Sequence, residues 1–185
     1  GDALTTGSEN VALGYGALSA EDAHGQNVAV GHNALASLNA GTNALNTAVG
    51  YAAGTAITTG TNNTIVGGLA GDSLTTGSQN TVLGRTALSA EDTGSKAVAI
   101  GYGALFAQNY DGDSHNTAVG YNALTANTTA ANNTAVGKSA LISNTTGDSN
   151  TAVGKQALSA NTTADNNTAV GRQALFTNTT GTGNT

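Results

Sequence analysis

The stretch NTAVGYNAL at residues 116–124 returns as NTAVGKSAL at 133–141, NTAVGKQAL at 150–158 and NTAVGRQAL at 167–175, each copy 17 residues after the last. A short motif kept at constant period is the signature of a repeat architecture, in which one small unit stacks on its neighbours to close a shared core. With the first Asn as position 1, the Gly at position 5 recurs at 14, 31, 50, 67, 84, 101, 120, 137, 154 and 171, giving seven intervals of 17 residues and two of 19. The longer coils begin at Asn27 and Ala97, 70 residues apart, and GDALTTGSENVALG at 1–14 is echoed by GDSLTTGSQNTVLG at 71–84 over the same distance. A four-coil unit is therefore duplicated on top of the single coil. Residues 1–185 read as one continuous array that starts inside one repeat and stops two residues into another, at Asn184 and Thr185. Neither end carries the polar capping repeat of a finished solenoid, so the chain is expected to be an excerpt of a longer fibrous protein.

Composition agrees. The 185 residues include 26 Gly and no Pro, Cys, Met or Trp, and only 4% are aromatic and 9% charged, too few large side chains for a conventional globular core. Disorder is disfavoured because the 38% apolar residues recur in fixed columns. Without Cys there is neither a disulfide nor a thiolate metal site. A net charge of −6 with five Lys and Arg residues argues against a nucleic-acid partner, which needs a dense basic surface. No apolar run approaches the ~20 residues of a spanning helix, so no membrane insertion is expected in this segment.

Each column has its own reading. Positions 2 to 4 (Val11-Ala12-Leu13, Thr64-Ile65-Val66, Val98-Ala99-Ile100, and repeated Thr-Ala-Val) form a short β-branched strand, apolar on both faces. One face is expected to point into the coil and the other toward a partner. Gly at position 5 marks a corner requiring positive φ or close backbone approach. Asn at position 1, absent only at Ala97, predicts either a stacked turn whose amides bond the coils above and below or a plain solvent-facing turn. Position 8 is Ala in all ten repeats, where only a methyl is expected to fit. Position 9 is Leu except at Gly54 and Gly71, and there Ile57 and Leu74 appear three residues later; Gly1 and Leu4 repeat the exchange. One large apolar side chain per coil is thus expected from either of two places.

The period is too short for a helical hairpin and shows no 3.6-residue apolar spacing, so the expected fold is all-β, a parallel β-solenoid or β-roll of 17-residue coils with two of 19. Ten rungs at about 4.8 Å make a rod of roughly 50 Å. Its second apolar strand face predicts a homo-oligomer, a trimer or a filament. NVALG (10–14), NVAVG (27–31) and AVAIG (97–101), each reaching Ala three residues later, resemble the SVAIG repeats of YadA-like heads in trimeric autotransporter adhesins. The resemblance covers the whole chain and implies a trimeric, left-handed parallel β-roll at the bacterial surface, often binding extracellular matrix. Those heads repeat at about 14 residues, and here three more arrive in NTT or LTT corners. The runs of NTAVG also resemble phage and bacterial fibre shafts, which share a trimeric β-structured design. Both likenesses imply an extracellular, cell-surface or virion location.

The candidate ligand-binding residues are those of position 6: Tyr15, His32, Tyr51, Arg85, Tyr102, Tyr121, Lys138, Lys155 and Arg172, with Gly68 as the gap. Four of the five Tyr and four of the five Lys and Arg residues stand in this column. Three successive cations at about 4.8 Å must be hydrated, so the column is expected to face solvent. There it either meets sugar rings, acidic glycans or a host surface protein with the avidity of a ladder, or simply shields the Gly corner. No catalytic, cofactor or metal site is expected. His24, His32 and His115 fall in different columns, and an enzyme would need a cleft that a uniform rod does not supply. Glu21-Asp22 and Glu91-Asp92 read as a solvated corner that discourages lateral aggregation. YDGDSHN (110–116) reads as an extruded loop rather than a calcium site, since it lacks the spacing of an EF-hand. The Asn-Thr-Thr sequons at 127 and 144 read as by-products of the corner. The expected function is a fibre or adhesin segment. The alternatives are an ice-binding solenoid, from Thr at positions 2, 13 and 14, and a purely structural filament subunit without a ligand.

Overall fold

The computed structural model describes residues 4–21 and 23–185; Gly1, Asp2, Ala3 and Asp22 lie outside the described residues. Ten three-residue strands follow one another: β1 (Val11–Leu13), β2 (Val28–Val30), β3 (Thr47–Val49), β4 (Thr64–Val66), β5 (Thr81–Leu83), β6 (Val98–Ile100), β7 (Thr117–Val119), β8 (Thr134–Val136), β9 (Thr151–Val153) and β10 (Thr168–Val170). All pair in parallel in one sheet in chain order, and no helix occurs among the described residues. The fold is a parallel β-solenoid. The register keeps each column intact even across the long coils, where Ala29 faces Ala48 and Ala99 faces Ala118.

Within each strand from β2 onward the middle residue is buried and the flanking two point outward, so the apolar strand divides between two faces as expected. The interior is small. Its layers are the Ala of position 8, the Leu of position 9 and the strand's central residue, with Ala140, Leu141 and Ala135 all fully buried. The expected exchange of apolar volume holds: Ile57 and Leu74 are buried in the coils that carry Gly54 and Gly71. The strands share in it, for Ile65 and Val82 replace the usual central Ala, and a Cβ at Gly54 would stand 3.0 Å from Ile57 Cδ1 and 3.1 Å from Ile65 Cδ1. Three coils depart from the one-per-coil rule, since Leu35 with Leu38, Ile65 with Leu74 and Val82 with Leu88 are buried together.

Backbone geometry explains the invariant corner. Gly137 has φ 131°, and a Cβ there would lie 2.7 Å from the carbonyl carbon and oxygen of Gly154 in the next coil. Any side chain would therefore push two coils apart. Position 9 shows the opposite solution, because Leu141 and Leu158 adopt φ 50° despite their side chains. That conformation costs roughly 1–2 kcal/mol. It is offset by burying the Leu and by an N–H bond to the next coil, from Leu141 to the Ala157 carbonyl at 3.0 Å.

The Asn of position 1 is an interior group, and of the two readings the stacked turn is the one the structure has. Asn133 Oδ1 accepts the backbone N–H of Asn150 at 2.9 Å, and its Nδ2 donates to the Gly147 carbonyl at 2.9 Å. The same bonds link Asn46 to Asn63 and Gly60, and Asn63 to Asn80 and Gly77. The Ala97 N–H donates such a bond to Asn80 Oδ1, but Ala97 has no side-chain oxygen to accept from the next coil. Asn133→Ala therefore strands the buried Asn150 N–H, while the Gly147 carbonyl keeps the Asn144 amide as a partner, and is expected to lower stability by about 1–3 kcal/mol. Ala140→Leu overfills a closed layer and is expected to lose about 1–3 kcal/mol. Thermal melts check both; a variant of either kind that melts with the parent would show that its column is not interior.

Candidate functional site

The Gly corner ends each strand and throws the next residue outward, so every side chain of the position-6 column is exposed. The column divides at Gly68 into two stacks. In the first, the rings of Tyr15 and His32 lie 5.3 Å apart and those of His32 and Tyr51 5.4 Å apart, at interplanar angles of 26° and 20°. In the second, Tyr102 and Tyr121 stack at 5.3 Å, with the Arg85 guanidinium 5.9 Å from the Tyr102 centroid and Lys138 Nζ 5.4 Å from that of Tyr121. Lys155 and Arg172 continue the column in solvent. Rung spacing makes these contacts unavoidable: rings carried at strand separation stack, and cations bordering them settle over π faces. The result is an aromatic ladder with a basic extension, on a chain that is acidic overall.

The corner acids are not where a solvated corner would put them. Glu91 is fully buried, and so is Glu21, while Asp22 lies outside the described residues. Position 12 is an interior column: Leu38, Ile57 and Leu74 fill it between the two glutamates, and beyond Glu91 it becomes a polar ladder. Gln108 Nε2 donates to Glu91 Oε2 at 3.0 Å, and Asn144, Asn161 and Asn178 each donate to the Asn one coil earlier at 3.2, 2.9 and 3.2 Å. Sequence reasoning missed this ladder because an acid followed by an acid in a turn reads as hydrated. Burial is tolerated because the Gly94 and Tyr110 N–H groups also bond the Glu91 carboxylate. The sequon residues Asn127 and Asn144 are spent inside the same ladder.

The YDGDSHN loop is pinned to the coil before it. Asp113 pairs with Lys96, and Asp111 accepts the Thr93 hydroxyl at 2.7 Å. Among the described residues no group of three or more His, Asp or Glu side chains is placed to hold a metal ion. Among the described residues no helix is long and apolar enough to cross a membrane. The rod is not featureless, however. A shallow recess of about 210 Å³ opens beside the second aromatic stack, lined by Thr86, Tyr102, Gly103, Phe106, Asn122 and Thr125. The signal for it in the sequence is the coincidence, within one coil, of Gly103 at position 7 and Phe106 at position 10.

No protein-family model, curated protein or solved structure matches the chain.

Desolvation by burial pushes the Glu91 carboxyl above the usual glutamate range, against the lowering effect of its hydrogen bonds. The folded state thus holds the Glu91 proton at a pH where the unfolded chain has released it, so stability falls as pH rises through that window and recovers below it. Subtracting the melting profile of Glu91→Gln from that of the parent is expected to leave this slope; a flat difference would mean the carboxyl is hydrated. Lys138→Ala, on the exposed column, is expected to leave the melting temperature unchanged and to lower the salt needed for elution from heparin.

Proposed function

We propose that this chain is a shaft or head segment of an oligomeric fibre or adhesin at a cell surface or on a virion, with the outer strand face as its self-association surface and the position-6 ladder as its contact surface. The observation that carries the reading is the outward face of the sheet. Position 4 is apolar in all ten strands and points outward along one continuous sheet, half-buried in most coils and open within it at Leu83 and Val153, 48 and 37% exposed. A soluble monomer rarely leaves so long an apolar stripe uncovered, and parallel rods can cover it by packing side to side. Three rods are the arrangement that the adhesin-head resemblance implies. The ladder then offers repeated weak contacts whose combined strength exceeds any single one. Glycans, acidic ones along Lys138, Lys155 and Arg172, or a host surface protein suit its mixture of rings and cations.

The ice-binding alternative has less support. The position-13 hydroxyls of Thr75, Thr128 and Thr145 donate to carbonyls of the next coil at 2.8, 3.0 and 3.0 Å, which leaves fewer free donors for an ordered water lattice.

Light scattering tests the association directly. The chain at micromolar concentration is expected to run as an oligomer, and Val119→Lys, which sets a cation in the apolar stripe, to shift it to monomer with its β-sheet circular dichroism retained. A parent chain that is a stable folded monomer overturns the proposal.

A further inference from the structure

We propose that the recess at Gly103 is a binding subsite for one pyranose ring of a neutral glycan; this rests on the reading of the rod as a contact surface and gives that surface a specific residue-level ligand.

The recess exists because two column choices coincide in one coil. Position 7 is Gly103, and position 10 is Phe106. The coil of Gly16 has Ser19 at position 10, and the coil of Phe176 has Gln173 at position 7, so neither joins a missing side chain to a projecting ring. A Cβ at Gly103 would lie 2.6 Å from Asn122 Oδ1, which places the Asn122 amide over the floor of the recess. The volume of about 210 Å³ is below the roughly 300–1,000 Å³ of pockets for drug-sized ligands, and suits one small ring.

The lining chemistry selects the ring type. Phe106 is 46% exposed and is flanked in its column by Ser89 and Thr125, so its ring surface is open. Tyr102 differs, because the Arg85 guanidinium and the Tyr121 ring stack against it from the neighbouring coils. The C–H groups on one face of a pyranose carry partial positive charge and match the negative face of a phenyl ring. Around that apolar patch stand groups of both hydrogen-bonding kinds. The Asn122 amide has no hydrogen-bond partner among the described residues and offers two N–H donors and an oxygen. The Thr86 and Thr125 hydroxyls donate to the Arg85 and Gly103 carbonyls at 2.7 and 2.9 Å, leaving their lone pairs as acceptors. A ligand with an apolar face and a rim of hydroxyls that donate and accept satisfies this set. A hydrocarbon leaves the amide unpaired. No carboxylate or cation lines the recess, so a neutral sugar is favoured over a charged one.

The test is proton NMR of the full chain titrated with methyl β-glucopyranoside, methyl β-galactopyranoside, N-acetylglucosamine and glucuronic acid. The ring signals of Phe106, assigned by their loss in Phe106→Ser, are expected to shift saturably with at least one neutral sugar. Both substitutions used to weaken binding install a residue the chain already carries at the same column position. Ser stands at 19, 89 and 159, and Ala at 52 with φ 53°, so Phe106→Ser and Asn122→Ala are expected to fold. Saturation-transfer signals are expected to report about tenfold weaker binding in each, and parental binding in Phe176→Ser. The absence of a saturable shift with every neutral sugar, a response to glucuronic acid alone, or undiminished binding in the two recess variants overturns the proposal. The oligomeric mass and the heparin elution of Lys138→Ala are measured separately, so a failed recess leaves the fibre reading standing and the reverse.

Discussion

Every column of this solenoid packs against itself. A residue at a given position meets the same position of the next coil at strand separation, about 4.8 Å away, so a side chain is admissible only if it tolerates its own kind at that distance. Asn passes by handing its oxygen to the next backbone N–H, as from Asn133 to Asn150. Leu passes by filling volume, and Ala by occupying almost none. Glycine at the corner is forced by the closeness of the neighbouring carbonyl. Cations pass only where water reaches them, which is why Lys138, Lys155 and Arg172 stand outside.

This rule explains what was legible beforehand. The Ala column, the exchange of Leu for Ile57 or Leu74, and the exposure of position 6 all follow from asking what each residue type does beside a copy of itself. Position 12 was harder because it changes character along the rod, from Glu21 through Leu38, Ile57 and Leu74 to Glu91, Gln108 and the Asn series. A column of mixed types looks like a surface. Its burial becomes intelligible only when the bonds to Glu91 from Gly94, Gln108 and Tyr110 are seen, two of which come from the long coil that follows. The recess at Gly103 was hidden for a related reason: it needs residues from three successive coils, Thr86, Phe106 and Thr125, and no single repeat contains it.

Surface and interior obey different economies of variation. Inside, a change in one column is matched in another, as with Ile65 beside Gly54. Outside, the position-6 column changes between Tyr, His, Lys and Arg without disturbing what lies beneath. Contact properties along the rod are therefore free to differ from coil to coil while the scaffold stays constant, the separation between a stable framework and adaptable contacts that a recognition surface requires.

The bonds between coils run along the rod and join each coil only to its immediate neighbours, which gives the molecule a distinctive mechanical character. Under tension, load passes through each coil boundary in turn. A coil that detaches converts about 4.8 Å of rod into roughly 56–61 Å of extended chain, at 3.3–3.6 Å for each of its 17 residues. Such a rod answers force by lengthening in discrete steps, each dissipating the energy of one coil boundary, and single-molecule stretching would read those steps directly.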